Sequence, residues 1–133
     1  MKKIFSVLLI LFLFPVVVSA TEVVEIQADW INEQFKNGKT EIYTITAYCP
    51  CYYCCGKTDR ITASGVKAVE GVTVAGDTSK LHFGTKIYID GVGERIVQDR
   101  GGAITGNKID LYFESHQKAL EFGIQTKQVT ILN

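Results

Sequence analysis

Two aspartates, Asp99 and Asp110, lie on either side of a glycine-rich turn, and paired carboxylates of this kind can serve as acids and bases. Residues 108–113 alternate polar and apolar side chains, which predicts a strand with Asp110 and Tyr112 on its polar face. Aspartate is depleted from strand interiors because its short side chain competes with the backbone for hydrogen bonds. A purely structural role therefore explains Asp110 less well than it explains Asp99.

Gly101 and Gly102 lie within the turn, and Asp77 is a third aspartate that follows a predicted strand. A glycine without Cβ allows either a positive φ or the close approach of a ligand to the backbone. Together these residues predict a cleft lined by carboxylates. Asp77 and Asp99 each have a plainer interpretation, since aspartate commonly caps turns. Asp90, in an Asp-Gly turn, is expected to be structural.

Clustered carboxylates suit the cleavage of a glycosidic bond. The reaction needs a proton donor for the leaving oxygen and negative charge near the developing oxocarbenium ion. Like charges in one cleft do not all ionise readily, so one carboxyl is held protonated.

The second reactive group is a cysteine cluster, in which four thiols occur within seven positions. In an exported protein two disulfides are the first expectation, and spacing alone does not choose among the three pairings. The alternative is a tetrahedral zinc site, because two residues separate Cys51 from Cys54, a spacing typical of cysteine ligands to zinc. We expect disulfides here, with no metal and no cofactor. The candidates are Cys49, Cys51, Cys54 and Cys55.

Short β-forming runs separated by turns must position these residues. We predict six strands, at 41–48, 72–75, 85–89, 95–98, 108–113 and 127–132, with Asp90-Gly91-Val92-Gly93 as a hairpin turn. One short helix is expected from a Ser115 cap to Phe122, ended by Gly123. A mainly β fold closed into a small barrel follows.

The N-terminal 20 residues have the features of a signal peptide. Lys2 and Lys3 precede an apolar run, and Val18-Ser19-Ala20 fits the pattern before a cleavage site. Residues 21–40 are expected to be a lead-in segment, and 41–133 the folded domain. Without the two lysines, 12 basic residues face 14 acidic ones, which argues against a nucleic-acid partner. We expect a secreted or cell-wall location without stable membrane insertion after cleavage.

Several segments together resemble the 3D (three-aspartate) domain over about residues 42–132. They occur in the family's order: Thr46-Ala47-Tyr48-Cys49-Pro50-Cys51, Thr62-Ala63-Ser64-Gly65, Ala75-Gly76-Asp77, Phe83-Gly84-Thr85-Lys86-Ile87-Tyr88-Ile89, Gln98-Asp99-Arg100-Gly101-Gly102-Ala103-Ile104 and Gly106-Asn107-Lys108-Ile109-Asp110-Leu111-Tyr112-Phe113.

The resemblance implies a six-stranded double-psi β-barrel and an enzyme, a peptidoglycan lytic transglycosylase. Such an enzyme cleaves the MurNAc-GlcNAc β-1,4 bond with formation of 1,6-anhydro-MurNAc. It also implies that the three name-giving aspartates are Asp77, Asp99 and Asp110. Asp110 would be the acid/base, and the other two would tune its pKa and bind sugar.

Glycan strands of peptidoglycan are thus the expected partner. We expect Gly101, Gly102, Tyr112 and Thr62 to contact the substrate. The competing interpretation is a barrel that binds glycan without turnover, and pairing with a second copy of the chain stays open.

Overall fold

The computed structural model describes residues 38–132, which contain six strands and two helices. The expected signal peptide and most of the lead-in segment lie outside the described residues. No helix within 38–132 is long and apolar enough to cross a membrane. The strands are β1 (Thr40–Tyr48), β2 (Thr73–Gly76), β3 (Lys86–Ile89), β4 (Gly93–Asp99), β5 (Lys108–Tyr112) and β6 (Gln125–Leu132), and the helices are α1 (Tyr52–Cys55) and α2 (His116–Phe122).

The six strands form one sheet that closes on itself in the order β1-β5-β2-β4-β3-β6. Two of the pairings, β1 with β5 and β2 with β4, are parallel. The other four are antiparallel. Closure leaves every strand with two neighbours, so the sheet has no free edge.

The core fills the interior of the closed sheet. Its members are large aliphatic side chains and one tyrosine at alternate strand positions, because alternation sends every second side chain to the same face. These buried residues are Tyr43, Ile45, Val74, Leu81, Ile87, Ile89, Val97, Ile109, Leu111 and Val129. Nine of them lie in segments that the alternation identified as strands, and the tenth, Leu81, lies in the loop between β2 and β3. Asp110, between Ile109 and Leu111, therefore lies on the outer face.

The strands expected from the sequence are present, with small differences at their ends. β4 begins two residues earlier than predicted and includes Asp99 as its last residue. The hairpin turn before it is confirmed by a hydrogen bond from Val92 N to Ile89 O (3.0 Å). Gly91 and Gly93 both have positive φ there, at 69° and 100°.

The helix near the C-terminus is as predicted. Ser115 is its N-cap and its hydroxyl accepts from Lys118 N, while Gly123 follows with φ of 65°. The helix α1 was not predicted. It is a single turn capped by the Cys51 sulfur, which accepts from Cys54 N, and it ends at Gly56 in the left-handed region. Such a short helix carries no apolar periodicity that a sequence pattern can reveal.

Candidate functional site

The site is a row of four residues that strand register places side by side on the outer face. Thr46 of β1 lies opposite Asp110 of β5. Asp110 lies opposite Ala75 of β2, which in turn lies opposite Asp99 of β4. The small side chain of Ala75 thus separates the two carboxylates. Two of the three expected aspartates are brought together by backbone pairing alone.

A register irregularity delivers Asp99 to this row. Val74 pairs with Val97, but the next residue, Ala75, pairs with Asp99, so Gln98 is the extra residue of a β-bulge. Gln98 accepts a hydrogen bond from the Thr73 hydroxyl at 2.7 Å, which holds the bulge in place. The bulge turns Asp99 to the same face as Asp110.

Asp110 is half-buried and has one side-chain hydrogen bond, from the Thr46 hydroxyl at 2.7 Å. Burial raises the pKa of Asp110 above that of an ordinary aspartate, and the negative charge of Asp99 raises it further. The Thr46 hydrogen bond acts in the opposite direction because it favours the ionised form. A carboxyl held in this way can keep its proton until a leaving group needs it.

Asp99 has the opposite surroundings, since three donors converge on its carboxylate. The Tyr48 hydroxyl donates to Oδ2 at 2.9 Å, while the backbone N–H groups of Ala63 and Arg100 donate to Oδ1 at 2.8 and 2.9 Å. Hydrogen bonds of this kind hold a carboxylate in one orientation. Asp99 is therefore a carboxylate fixed in position beside Asp110.

Tyr48 and Tyr112 form the wall next to Asp99. Their rings meet edge to face, with centroids 5.5 Å apart. Burial, followed by the charge of Asp99, raises the pKa of Tyr48, so this hydroxyl stays a donor. Tyr112, an expected substrate contact, is only 3% exposed, and its hydroxyl has no hydrogen-bond partner among the described residues. In this conformation Tyr112 supports the wall from within.

Asp77 directly follows β2, just beyond the row, and both oxygens of its carboxylate accept hydrogen bonds from the protein. Oδ1 accepts from the Ser79 N–H (3.0 Å) and hydroxyl (2.6 Å), and Oδ2 accepts from Gly106 N (2.6 Å). The Ser79 hydroxyl first and the Gly106 N–H second lower the pKa of Asp77. Asp77 thus ties the end of β2 to the glycine-rich turn, which is the turn-capping role considered from the sequence.

The glycine-rich turn borders an open groove lined by Asp77, Gly101 and Gly102 together with Thr78, Arg100 and Ile104. Neither Gly101 nor Gly102 has a positive φ; within this turn that conformation belongs to Gly106, at 66°. A Cβ at Gly102 would meet no atom within 4 Å, so the backbone there is open to a ligand. Of the two roles that glycine allows, only close approach fits Gly102.

Thr62, another expected substrate contact, is 5% exposed. Its hydroxyl donates to Val66 O at 2.8 Å and lies 3.1 Å from the Ser64 hydroxyl. These contacts shape the loop so that the next residue, Ala63, can donate its N–H to Asp99. The loop reaches the site through its backbone.

The cysteine cluster lies at the end of β1 and meets the start of α2. The Cys49 sulfur is 3.2 Å from that of Cys51 and 3.4 Å from that of Cys54. His116 Nδ1 is 3.4, 3.6 and 3.4 Å from the sulfurs of Cys49, Cys51 and Cys54. These four ligand atoms all lie within 4.8 Å of one another.

All four cysteines are free in this structure, so the two expected disulfides are not shown. Bonded sulfurs lie about 2.05 Å apart, well below the separations seen here. The physical reason lies in the direction of the side chains: three converge on His116, whereas Cys55 turns away and donates to Lys57 O at 3.1 Å. Burial raises the pKa of Cys49 to about 12, while a hydrogen bond from Cys49 lowers the pKa of Cys51 to about 7.

Four residues of these sites were not singled out from the sequence as functional: Thr46, Tyr48, Ala63 and His116. Thr46, Tyr48 and Ala63 lie in motifs that support the 3D resemblance, which was the only signal for them. His116 was interpreted simply as the first residue of a helix, because it lies 62 positions after Cys54 and no local pattern connects the two.

Comparison with known proteins finds a family model that matches part of this chain. Residues 72–133 match the model of the 3D domain, which confirms the resemblance over a stretch containing all three aspartates. β1 and the cysteine cluster lie outside that match.

Two curated relatives come from Bacillus subtilis. The chain is 38% identical over 76 residues to the cell wall-binding protein YocH, covering 55% of this chain and 26% of YocH. It is 35% identical over 100 residues to the putative cell wall shaping protein YabE, covering 72% of this chain and 24% of YabE. The chain therefore spans about a quarter of the length of these relatives. Among solved structures, the crystal structure of MltA from E. coli has a TM-score of 0.48 and 24% identity, covering 56% of this chain and 28% of MltA.

Proposed function

We propose, starting from the 3D domain that residues 72–133 form, that this protein is an exported enzyme that cleaves peptidoglycan glycan strands by the lytic transglycosylase reaction. The observation that carries the proposal is the pairing of Asp110, half-buried with a raised pKa, with the firmly hydrogen-bonded Asp99. The names of the relatives, a cell wall-binding and a putative cell wall shaping protein, support the choice of substrate.

Asp110 is the general acid and then the general base in this scheme. Its carboxyl first gives its proton to the glycosidic oxygen as the bond to the anomeric carbon breaks. The resulting carboxylate then accepts the proton of the substrate's own C6 hydroxyl while that oxygen attacks the anomeric carbon. The product is a 1,6-anhydro sugar, and no water is consumed.

Asp99 contributes charge in two ways. As a carboxylate on the same outer face, it raises the pKa of Asp110 before the reaction. It also offers negative charge near the developing oxocarbenium ion, where fixed charges are most effective because they need no reorientation. The three hydrogen bonds to Asp99 supply that fixed position.

Asp77 and the glycine-rich turn form the groove in which we place the glycan. The open backbone at Gly102 and the exposed side of the turn are accessible to sugar hydroxyls. We also assign the double-psi connectivity to the closed sheet, a choice supported by its two parallel strand pairs.

The test is incubation of the purified full chain with peptidoglycan, followed by mass spectrometry of the released fragments. We expect fragments that end in 1,6-anhydro-MurNAc, lighter by one water than hydrolysed fragments. Asp110→Asn is the inactive control, and Asp90→Asn, at an exposed hairpin turn, is the matched active control. Fragments with an ordinary reducing end would refute the transglycosylase mechanism.

A second candidate function is a glycan-binding module without turnover. The name of one relative, the cell wall-binding protein YocH, favours it. It is also favoured by the carboxylates of Asp77 and Asp99, which already accept hydrogen bonds from the protein's own donors. Sedimentation with insoluble peptidoglycan distinguishes the two candidates. Wild-type protein that sediments with the wall but releases no fragments from several peptidoglycan sources would select the binding module.

A further inference from the structure

We propose that Cys49, Cys51, Cys54 and His116 form a closed structural site for one zinc ion, which fastens the loop after β1 to the start of α2. This inference concerns the part of the chain outside the 3D match and does not depend on the reaction proposed above. The four residues come from two segments far apart in the sequence, yet their ligand atoms form one compact group.

The distances fit tetrahedral coordination. Zinc binds thiolate sulfur at about 2.3 Å and imidazole nitrogen at about 2.0–2.1 Å, so tetrahedral geometry separates neighbouring ligand atoms by about 3.5–3.8 Å. The sulfur–sulfur distances of 3.2 and 3.4 Å and the sulfur–nitrogen distances of 3.4 to 3.6 Å lie close to that range. Small outward movements of the sulfurs are enough to admit the ion.

The local backbone presents the ligands without strain. Cys51 and Cys54 lie on the same side of α1 because Cys51 is its N-cap and Cys54 follows three residues later. The N–H of Cys54 points to the Cys51 sulfur at 3.4 Å, an interaction that offsets the negative charge of a bound thiolate. On the other side, the Ser115 cap fixes the first turn of α2 and with it His116.

The chemistry of the donor set selects the metal. Three thiolates and one imidazole in a tetrahedral arrangement suit zinc, and with four protein ligands no position stays open for water or substrate. Binding of Zn²⁺ displaces the three thiol protons to solvent, which leaves a site with a net charge of −1. The ion is therefore structural rather than catalytic.

The position of the zinc site connects it to the carboxylate site. Cys49 directly follows Tyr48, whose hydroxyl holds Asp99 and whose carbonyl accepts from Phe113 N at 2.9 Å. Cys55 and Pro50 line a small pocket together with Tyr48 and Asp99. A metal that fixes this loop against α2 also fixes one wall of the carboxylate site.

Adjacent cysteines provide a matched pair of variants. Cys54 contributes a sulfur to the cluster, whereas the Cys55 sulfur contacts only backbone carbonyls. We expect elemental analysis of the full chain, purified under reducing conditions, to find one zinc per wild-type or Cys55→Ser chain. Cys54→Ser should bind zinc more than about 100-fold more weakly, beyond the ~10–100-fold loss typical of changes outside the ligand shell.

Cobalt provides a second test, and its main measurement uses the wild-type protein. Wild-type protein stripped with a chelator and titrated with Co²⁺ should develop thiolate-to-metal charge-transfer bands and the strong visible absorption of a tetrahedral site. One equivalent of Zn²⁺ should abolish both and raise the melting temperature of the stripped protein. His116→Ala should keep the charge-transfer bands at lower affinity, because its three thiolates remain.

Three results would overturn the proposal. They are wild-type protein without stoichiometric zinc and without cobalt spectra, equal zinc content in Cys54→Ser and Cys55→Ser, and mass spectrometry of exported, non-reduced protein showing a disulfide among Cys49, Cys51 and Cys54. The last result would identify the cluster as a redox pair.

Discussion

Asp110 and Asp77 both belong to the set of three aspartates, but their surroundings are opposite. Asp110 is half-buried in the middle of a strand and accepts one side-chain hydrogen bond, whereas Asp77 lies at a strand end and accepts three. Burial raises the pKa of the first, and hydrogen bonds lower the pKa of the second. The surroundings of Asp110 thus favour its protonated form, whereas those of Asp77 favour an anion that holds the backbone.

The largest effect is expected for Asp110→Asn. The amide keeps the shape of the carboxyl but cannot transfer a proton, so glycan cleavage should fall by roughly 10²–10⁴-fold or more. Fragment release measured by mass spectrometry checks this. A variant that retains more than a tenth of the wild-type rate would show that Asp110 is not the acid.

The stability of the same variant tests the cause of its raised pKa. Because the native pKa lies above the unfolded value, the native state holds more protons between the two, and stability falls as the pH rises through that window. Asp110→Asn removes this cost, so its melting temperature at pH 7 should equal or exceed that of wild type. A clear loss of stability would mean that the ionised carboxylate is held favourably.

The hydroxyl of Tyr48 should have the next largest effect. Tyr48→Phe keeps the ring and its contact with Tyr112 but removes one donor to Asp99. A hydrogen bond to a charged group contributes about 1.5–3 kcal/mol, so cleavage should fall by roughly 10–100-fold if Asp99 loses its orientation. Steady-state assays with Tyr88→Phe, on β3, as the control would measure the loss. Equal activity of the two variants would place Tyr48 outside the site.

The next prediction concerns the pH dependence of the reaction, for which we expect a pair of opposite shifts. Asp99→Asn removes a charge that raises the pKa of Asp110, so the alkaline limb of the pH–rate profile should move to lower pH. Thr46→Val removes the hydrogen bond that lowers this pKa, so the limb should move to higher pH. Shifts in the same direction would show that the two residues act through something other than Asp110.

The smallest effect is expected for Asp77→Asn. An amide offers one acceptor oxygen in place of two, so either Ser79 or Gly106 loses its partner, and thermal stability at neutral pH should decrease modestly. The native pKa of Asp77 is lowered, so its contribution is present above the unfolded pKa of about 4 and is lost as the pH falls through the native value. Melting curves of this variant and wild type should therefore converge in acid. Asp90→Asn should show neither change.

Much of the fold was predictable because alternation of apolar residues reveals which segments are strands and which side chains are inside. Ile109 and Leu111 identified both β5 and the outward position of Asp110. Register was not predictable, since nothing in β1 indicates that Thr46 pairs with a residue 64 positions later. The β-bulge at Gln98 and the meeting of His116 with three sulfurs likewise depend on contacts between distant segments.

The way the ring closes also governs when this protein can fold. Both neighbours of β1 lie in the last quarter of the chain, and the hydrogen bond between Thr40 and Thr130 spans 90 residues. Loop closure over such distances must precede most of the favourable contacts, so the contact order is high and folding should take on the order of milliseconds to seconds. During synthesis β1 therefore emerges long before β5 and β6, the two strands that pair with it. The ring cannot close until both have been made.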